Sequence, residues 1–203
     1  AGTGNLAKYG SGTLTLSGTN TYSGTTTIGG GVLAVSSDSN LGSAPGSATA
    51  GNLVLNNGTL QATASFDLNA NRGITLTGTG TFAIDPSVTL NYAGVIASTG
   101  NLVKSGLGTL TLSGTNTYNG TMNINAGALV IDGGGSLRSG SYLGAITNNG
   151  SFVYNSSAAQ VLSGVISGTG NLTQAGSGTL TLTGTNTYTG TTTINNGTLL
   201  VNG

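Results

Sequence analysis

The sequence predicts an all-β chain wound into a β-solenoid, a single elongated domain with no helices. Three observations carry that reading. Gly, Thr, Asn and Ser make up 117 of the 203 residues, while only 4% are charged. Apolar residues come in short runs that alternate with polar ones, which is the period of a strand with one buried face. A 25-residue segment occurs three times, separated by unequal spacers of the same composition.

The repeat comes first along the chain. Residues 4–28 read GNLAKYGSGTLTLSGTNTYSGTTTI, residues 100–124 GNLVKSGLGTLTLSGTNTYNGTMNI, and residues 170–194 GNLTQAGSGTLTLTGTNTYTGTTTI. The first and third agree at 20 of 25 positions, the first and second at 19 of 25. A Gly turn and a short apolar strand follow each copy, so the repeat units extend over 4–35, 100–131 and 170–201. In each TLTL run the leucines share one face and the threonines the other. This predicts an inward ladder of Leu14, Leu16 and Ile28, of Leu110, Leu112 and Ile124, and of Leu180, Leu182 and Ile194. Tyr22, Tyr118 and Tyr188 also recur at one position and form a candidate surface or corner ladder.

The spacers follow the same rule. Residues 52–99 and 132–169 contain short alternating strands at 53–55, 59–60, 74–76, 82–84, 88–90, 142–146, 151–154 and 160–162, and read as connecting coils. Residues 36–51, SSDSNLGSAPGSATAG, lack the alternation and are expected to form a protruding loop with Pro45 at its tip. Asn-Gly pairs at 57–58, 119–120, 149–150 and 196–197 supply tight corners. Coils can be inserted between copies of a stack without altering a closed sheet, so the unequal spacers favour a solenoid over a sandwich or barrel. With three strands in a coil of ~22 residues, the chain makes about nine coils and a rod of roughly 43 Å.

The composition excludes much chemistry. There is no His, Cys, Glu or Trp. Thiolate- or imidazole-bound zinc, Ser-His-Asp catalysis and disulfides therefore have no raw material. Zero net charge without a basic cluster excludes an electrostatic nucleic-acid footprint. No apolar run is long enough for a membrane-spanning helix, and the first residues are not a signal peptide. Asp67 and Asp85 lie about one coil apart, the only spacing that suggests a carboxylate pair, but Asp at turns is the simpler reading. Asp132 before Gly133, Gly134 and Gly135 lacks the repeated carboxylates of a calcium loop. Gly168, Thr169 and Gly170 are not a nucleotide loop, because no helix follows. No catalytic, cofactor or metal residues are expected. Lys8 and Lys104 share one repeat position, held by Gln174 in the third copy, and read as solvated surface residues. Six N-x-[ST] sequons, at Asn57, Asn119, Asn149, Asn155, Asn171 and Asn196, follow from composition alone.

The run SGTGNL-x₃-GSGTLTL-[ST]-GTNTY-[ST]-GTTTI followed by NNGTL resembles the passenger-associated repeat of bacterial autotransporters, with its best match at 167–199. Arg72 to Leu76 (RGITL) and Ser163 to Gly170 (SGVISGTG) resemble connecting coils of such passengers. The resemblance implies a right-handed parallel β-helix, type V secretion, and display at the cell surface or release from it. The outer-membrane barrel would be supplied by a region not in this chain.

The leading functional expectation is a non-enzymatic extracellular stalk or adhesion scaffold whose partner is a host-cell, glycan or matrix ligand. The alternative is a filament subunit associating end to end, suggested by strands at both ends with no polar cap. A third reading, an ice-binding solenoid, rests on paired threonines at Thr13/Thr15, Thr25/Thr27 and Thr191/Thr193.

Overall fold

The computed structural model describes residues 2–203. Its 24 short strands join only in parallel. Each strand pairs with the strand one turn earlier and one turn later, and stacked residues lie mostly 20–24 positions apart. The result is a β-solenoid of about ten turns. A turn has three faces because Gly- and Asn-rich corners interrupt the chain every few residues, before any strand can lengthen.

The first face is built from Leu6–Lys8, Thr26–Ile28, Thr49–Leu55, Arg72–Leu76 and Ile96–Ala97. The second runs through Thr13–Leu16, Val32–Val35, Thr59–Ala62, Thr79–Ile84, Asn101–Ser105, Met122–Ile124, Ile146–Asn148 and Ile166–Ser167. The third contains Phe66–Leu68, Thr89–Tyr92, Thr109–Leu112, Ala128–Gly133, Ser151–Ser156, Asn171–Gln174 and Thr192–Ile194. Beyond Ile96–Ala97 the first face becomes irregular. Thr117 and Tyr118 donate their backbone N–H groups to the Ile96 carbonyl, Thr115 bridges Ser136, and Leu137 pairs with the Gln160 side chain. Regular pairing then resumes in Ser141–Tyr142, Gln160–Leu162, Thr179–Leu182 and Thr198–Val201.

Alternation along each strand points Leu, Ile, Phe and Tyr into one continuous core. Leu90, Leu110, Leu129, Phe152 and Leu172 form one unbroken inward column, all at 0% exposure. Each such side chain contributes roughly 1.5–3 kcal/mol by leaving water. The ladder residues Ile28, Leu110, Leu112, Ile124, Leu180 and Leu182 are buried, while Leu14 and Leu16 are half-buried. Ile194 departs from the expectation, at 56% exposed. It lies in the last strand of its face, with no coil stacked over it.

Two short turns depart from the strands, a 3₁₀ turn at Asp38–Leu41 and a tight turn with positive φ at Arg138–Gly140. The first lies inside the 36–51 segment. Leu41 is buried and Ser37 caps the turn, its side chain accepting from the Ser39 N–H. Arg72 binds this segment to the stack. Its guanidinium donates to both Asp38 carboxylate oxygens at 2.7 and 3.1 Å, and to the Leu41 and Gly42 carbonyls at 3.0 and 2.6 Å.

Candidate functional site

The functional surface of such a rod is its outside. The outward positions of the three faces are mainly Thr, Ser and Asn, as in Thr13 and Thr15, Thr109 and Thr111, and Thr179 and Thr181. An open groove of about 650 Å³ lies where the third face turns into the first. Asp38, Asp67, Asn69, Asn71, Asn91 and Ser113 line it, above small residues such as Ala70 and Ala93.

The suspected pair, Asp67 and Asp85, does not come together, whereas Asp38 and Asp67 line the same groove. Asp67 sits on the third face and accepts from Asn91 Nδ2 at 2.8 Å, whereas Asp85 follows a second-face strand and accepts from Gln61 Nε2 at 2.8 Å. Asp132 accepts from Asn155 at 2.7 Å, and Asp38 is paired with Arg72. Each Asp thus holds a neutral amide or a cation from another coil, so no two negative charges stack. Among the described residues no group of three His, Cys, Asp or Glu side chains is placed to hold a metal ion. None of their helices is long and apolar enough to cross a membrane.

The lysines that read as surface residues are inside. Lys104 is 0% exposed and stacks in an inward column between Phe82 and Ile124. Its ammonium donates to the carbonyls of Ser105, Gly106 and Ala126 at 2.9, 2.8 and 3.2 Å. Lys8 does the same with Tyr9, Gly10 and Gly30. Gln174 makes two such bonds, to Gly176 and Gly178. Three ammonium protons match three carbonyls that the tight corner leaves without partners. Burial pushes Lys104 down to about 8. The sequence signal was present: a cation inside an alternating strand, at an inward position, beside a glycine corner.

The tyrosines do not form one ladder. Tyr22 and Tyr188 are half-buried at corners, and their hydroxyls pair with Thr26 and Thr192 at 2.7 and 2.6 Å. Tyr118 is fully buried, its hydroxyl makes no hydrogen bond, and its ring meets that of Tyr142 edge-on at 5.7 Å. The reason is local. The second copy has Met122 where the others have Thr26 and Thr192.

The three copies are rotated relative to one another. The first starts on the first face, at Leu6–Lys8; the second starts on the second face, at Asn101–Ser105; the third starts on the third face, at Asn171–Gln174. Their GTNTY runs fall on the third, first and second faces in turn, where Asn20, Asn116 and Asn186 bridge neighbouring coils. The unequal spacers therefore turn each copy by one face, and the same outer surface is presented in three directions.

A continuous parallel stack carrying a repeated, nearly uncharged exterior defines a β-solenoid scaffold. The profile of the family described as Passenger-associated-transport-repeat matches residues 6–35, 102–131 and 172–201. Over 169 residues, 82% of the chain, the sequence is 48% identical to the Adhesin BmaC autotransporter of Brucella suis biovar 1 (strain 1330), of which it covers 5%. The chain thus carries three passenger-associated transport repeats and, over most of its length, is similar to part of an autotransporter adhesin. It spans only a small fraction of the relative it matches. No solved structure matches it.

Proposed function

We propose that this chain is a non-enzymatic stretch of a surface-displayed or secreted autotransporter passenger, serving as stalk and adhesion scaffold. The observation that supports this most is the 48% identity to a segment of an adhesin autotransporter, carried on an unbroken stack. A parallel stack needs no metal, disulfide or cofactor to stay extended. Its Thr, Asn and Ser exterior offers hydroxyls and amides that suit hydrogen bonding to a glycan or to a matrix-protein backbone.

Two other readings gain no support. The paired threonines expected for ice binding lie on different faces: Thr15 on the second, Thr27 on the first and Thr193 on the third. They form no single flat array. The filament reading rested on the strands at the two ends, and neither the repeat match nor the adhesin relative supports it.

Immobilising the folded 203-residue chain and presenting host cells, matrix proteins and a glycan panel tests the proposal. Saturable binding to one class establishes adhesion by this segment. Absence of binding throughout reduces its role to a spacer, and turnover of any panel member refutes the non-enzymatic reading.

A further inference from the structure

Four residues in the chain carry a positive side chain, and three of them are sequestered. Lys8, Arg72 and Lys104 are 8%, 1% and 0% exposed, each tied down by carbonyls or by Asp38. To enter the pocket of a trypsin-class protease, any of these side chains must first be pulled out of the stack. The fourth, Arg138, is different. Its guanidinium lies at the surface, with only a 3.4 Å bond to the Ser141 carbonyl. It begins a run of three left-handed residues, Arg138 (φ 45°), Ser139 (φ 51°) and Gly140 (φ 93°). For the two non-glycine residues this conformation is strained, and opening of the corner releases that strain. Neither Arg138 nor Ser139 belongs to a strand ladder, Ser139 and Ser141 are exposed, and only the Ser139 N–H, bonded to the Asn116 carbonyl at 3.0 Å, ties the scissile amide to the neighbouring coil.

We infer that Arg138–Ser139 is the single bond at which an extracellular trypsin-class protease cuts the folded protein, and that the cut protein stays assembled. Hydrolysis adds water across that amide, leaving a carboxylate on Arg138 and an amine on Ser139. The halves remain held by parallel ladders on both sides of the cut. Met122–Ile124 pairs with Ile146–Asn148, and Ala128–Gly133 pairs with Ser151–Ser156. Leu137 stays anchored, since Gln160 bonds both its N–H and its carbonyl. The passenger is thereby nicked without being shed, and two new charged ends appear on an exterior that has almost none.

The test is limited trypsin digestion of the folded chain, read by mass spectrometry, by denaturing gel and by native size exclusion. The expected result is two fragments meeting at 138/139 that co-elute as one species. Arg138→Gln abolishes the cut, while circular dichroism confirms that it folds. Arg138→Lys keeps the cut by trypsin and loses it with an arginine-specific protease. First cleavage after Lys8, Arg72 or Lys104 overturns the inference. So does a folded chain left intact under conditions that digest the heat-unfolded one. Separation of the fragments on native size exclusion overturns the claim that the nicked protein stays assembled.

Discussion

Lys104 and Tyr118 show how single side chains are chosen by the coil they close rather than by the repeat they belong to. Lys104 fills an inward position and satisfies three corner carbonyls. Lys104→Ala removes the stem from the core and orphans those carbonyls, and is expected to cost about 2–4 kcal/mol in chemical denaturation. Lys104→Gln, the third copy's solution at Gln174, retains most of that stability. Equal losses for the two variants would show that the carbonyl bonds contribute nothing. Tyrosine substitutions separate in the same way. Tyr118→Phe deletes a buried hydroxyl that has no partner and is expected to be neutral or stabilising. Tyr22→Phe breaks the bond to Thr26 and costs about 1 kcal/mol. The reverse order in melting experiments refutes this account of the Thr-to-Met change at position 122.

At the scale of the element, the strands are short because the corners recur, and the corners depend on glycine. Gly120, Gly144 and Gly164 stack above one another so closely that a Cβ on each would run into the carbonyl of the glycine one coil earlier. Gly144→Ala therefore forces two coils apart and is expected to cost about 1–3 kcal/mol. Equilibrium unfolding of this variant checks it, and an unchanged midpoint would mean that the coils are less tightly stacked. The strands themselves were readable from the sequence, because Thr13 to Leu16 and its equivalents alternate without interruption. The 36–51 segment was less so. Its missing alternation reads as a loop, yet Leu41 is buried and Arg72, distant in sequence, holds the turn through Asp38. That pairing has no local signature, since the two residues belong to different coils. The inward lysines were misread because a cation ordinarily marks a solvated face. Here the corner, not a counter-ion, satisfies the charge.

The whole molecule is a stack whose titration is set by buried tyrosines rather than by His or a carboxylate cluster. Burial raises Tyr92, Tyr118, Tyr142 and Tyr154 above the ordinary value of 10.0. The unfolded chain releases those protons first, so their contribution to stability is intact below pH 10 and falls as pH rises beyond it. Lys104 works oppositely. Its lowered value makes stability rise between about pH 8 and the ordinary lysine value of 10.5. Denaturation midpoints should therefore hold or increase slightly up to about pH 10 and then drop, whereas a decline starting near pH 8 would contradict the buried tyrosine environment.

The repeat itself was plain in the sequence, but its rotation from face to face was not. That rotation depends on how many residues each intervening coil contains, and only the cross-coil register reveals it. Paired cysteines test the register directly, in a chain that has no cysteine of its own. Thr111 and Val130 are stacked partners on the third face, about 4.8 Å apart and within reach of a disulfide. Thr15 and Thr111 hold equivalent repeat positions on different faces. Oxidation should close an intramolecular bridge in the Thr111→Cys, Val130→Cys protein and leave the Thr15→Cys, Thr111→Cys protein with two free thiols. A bridge in the second protein and none in the first would contradict the stack as described.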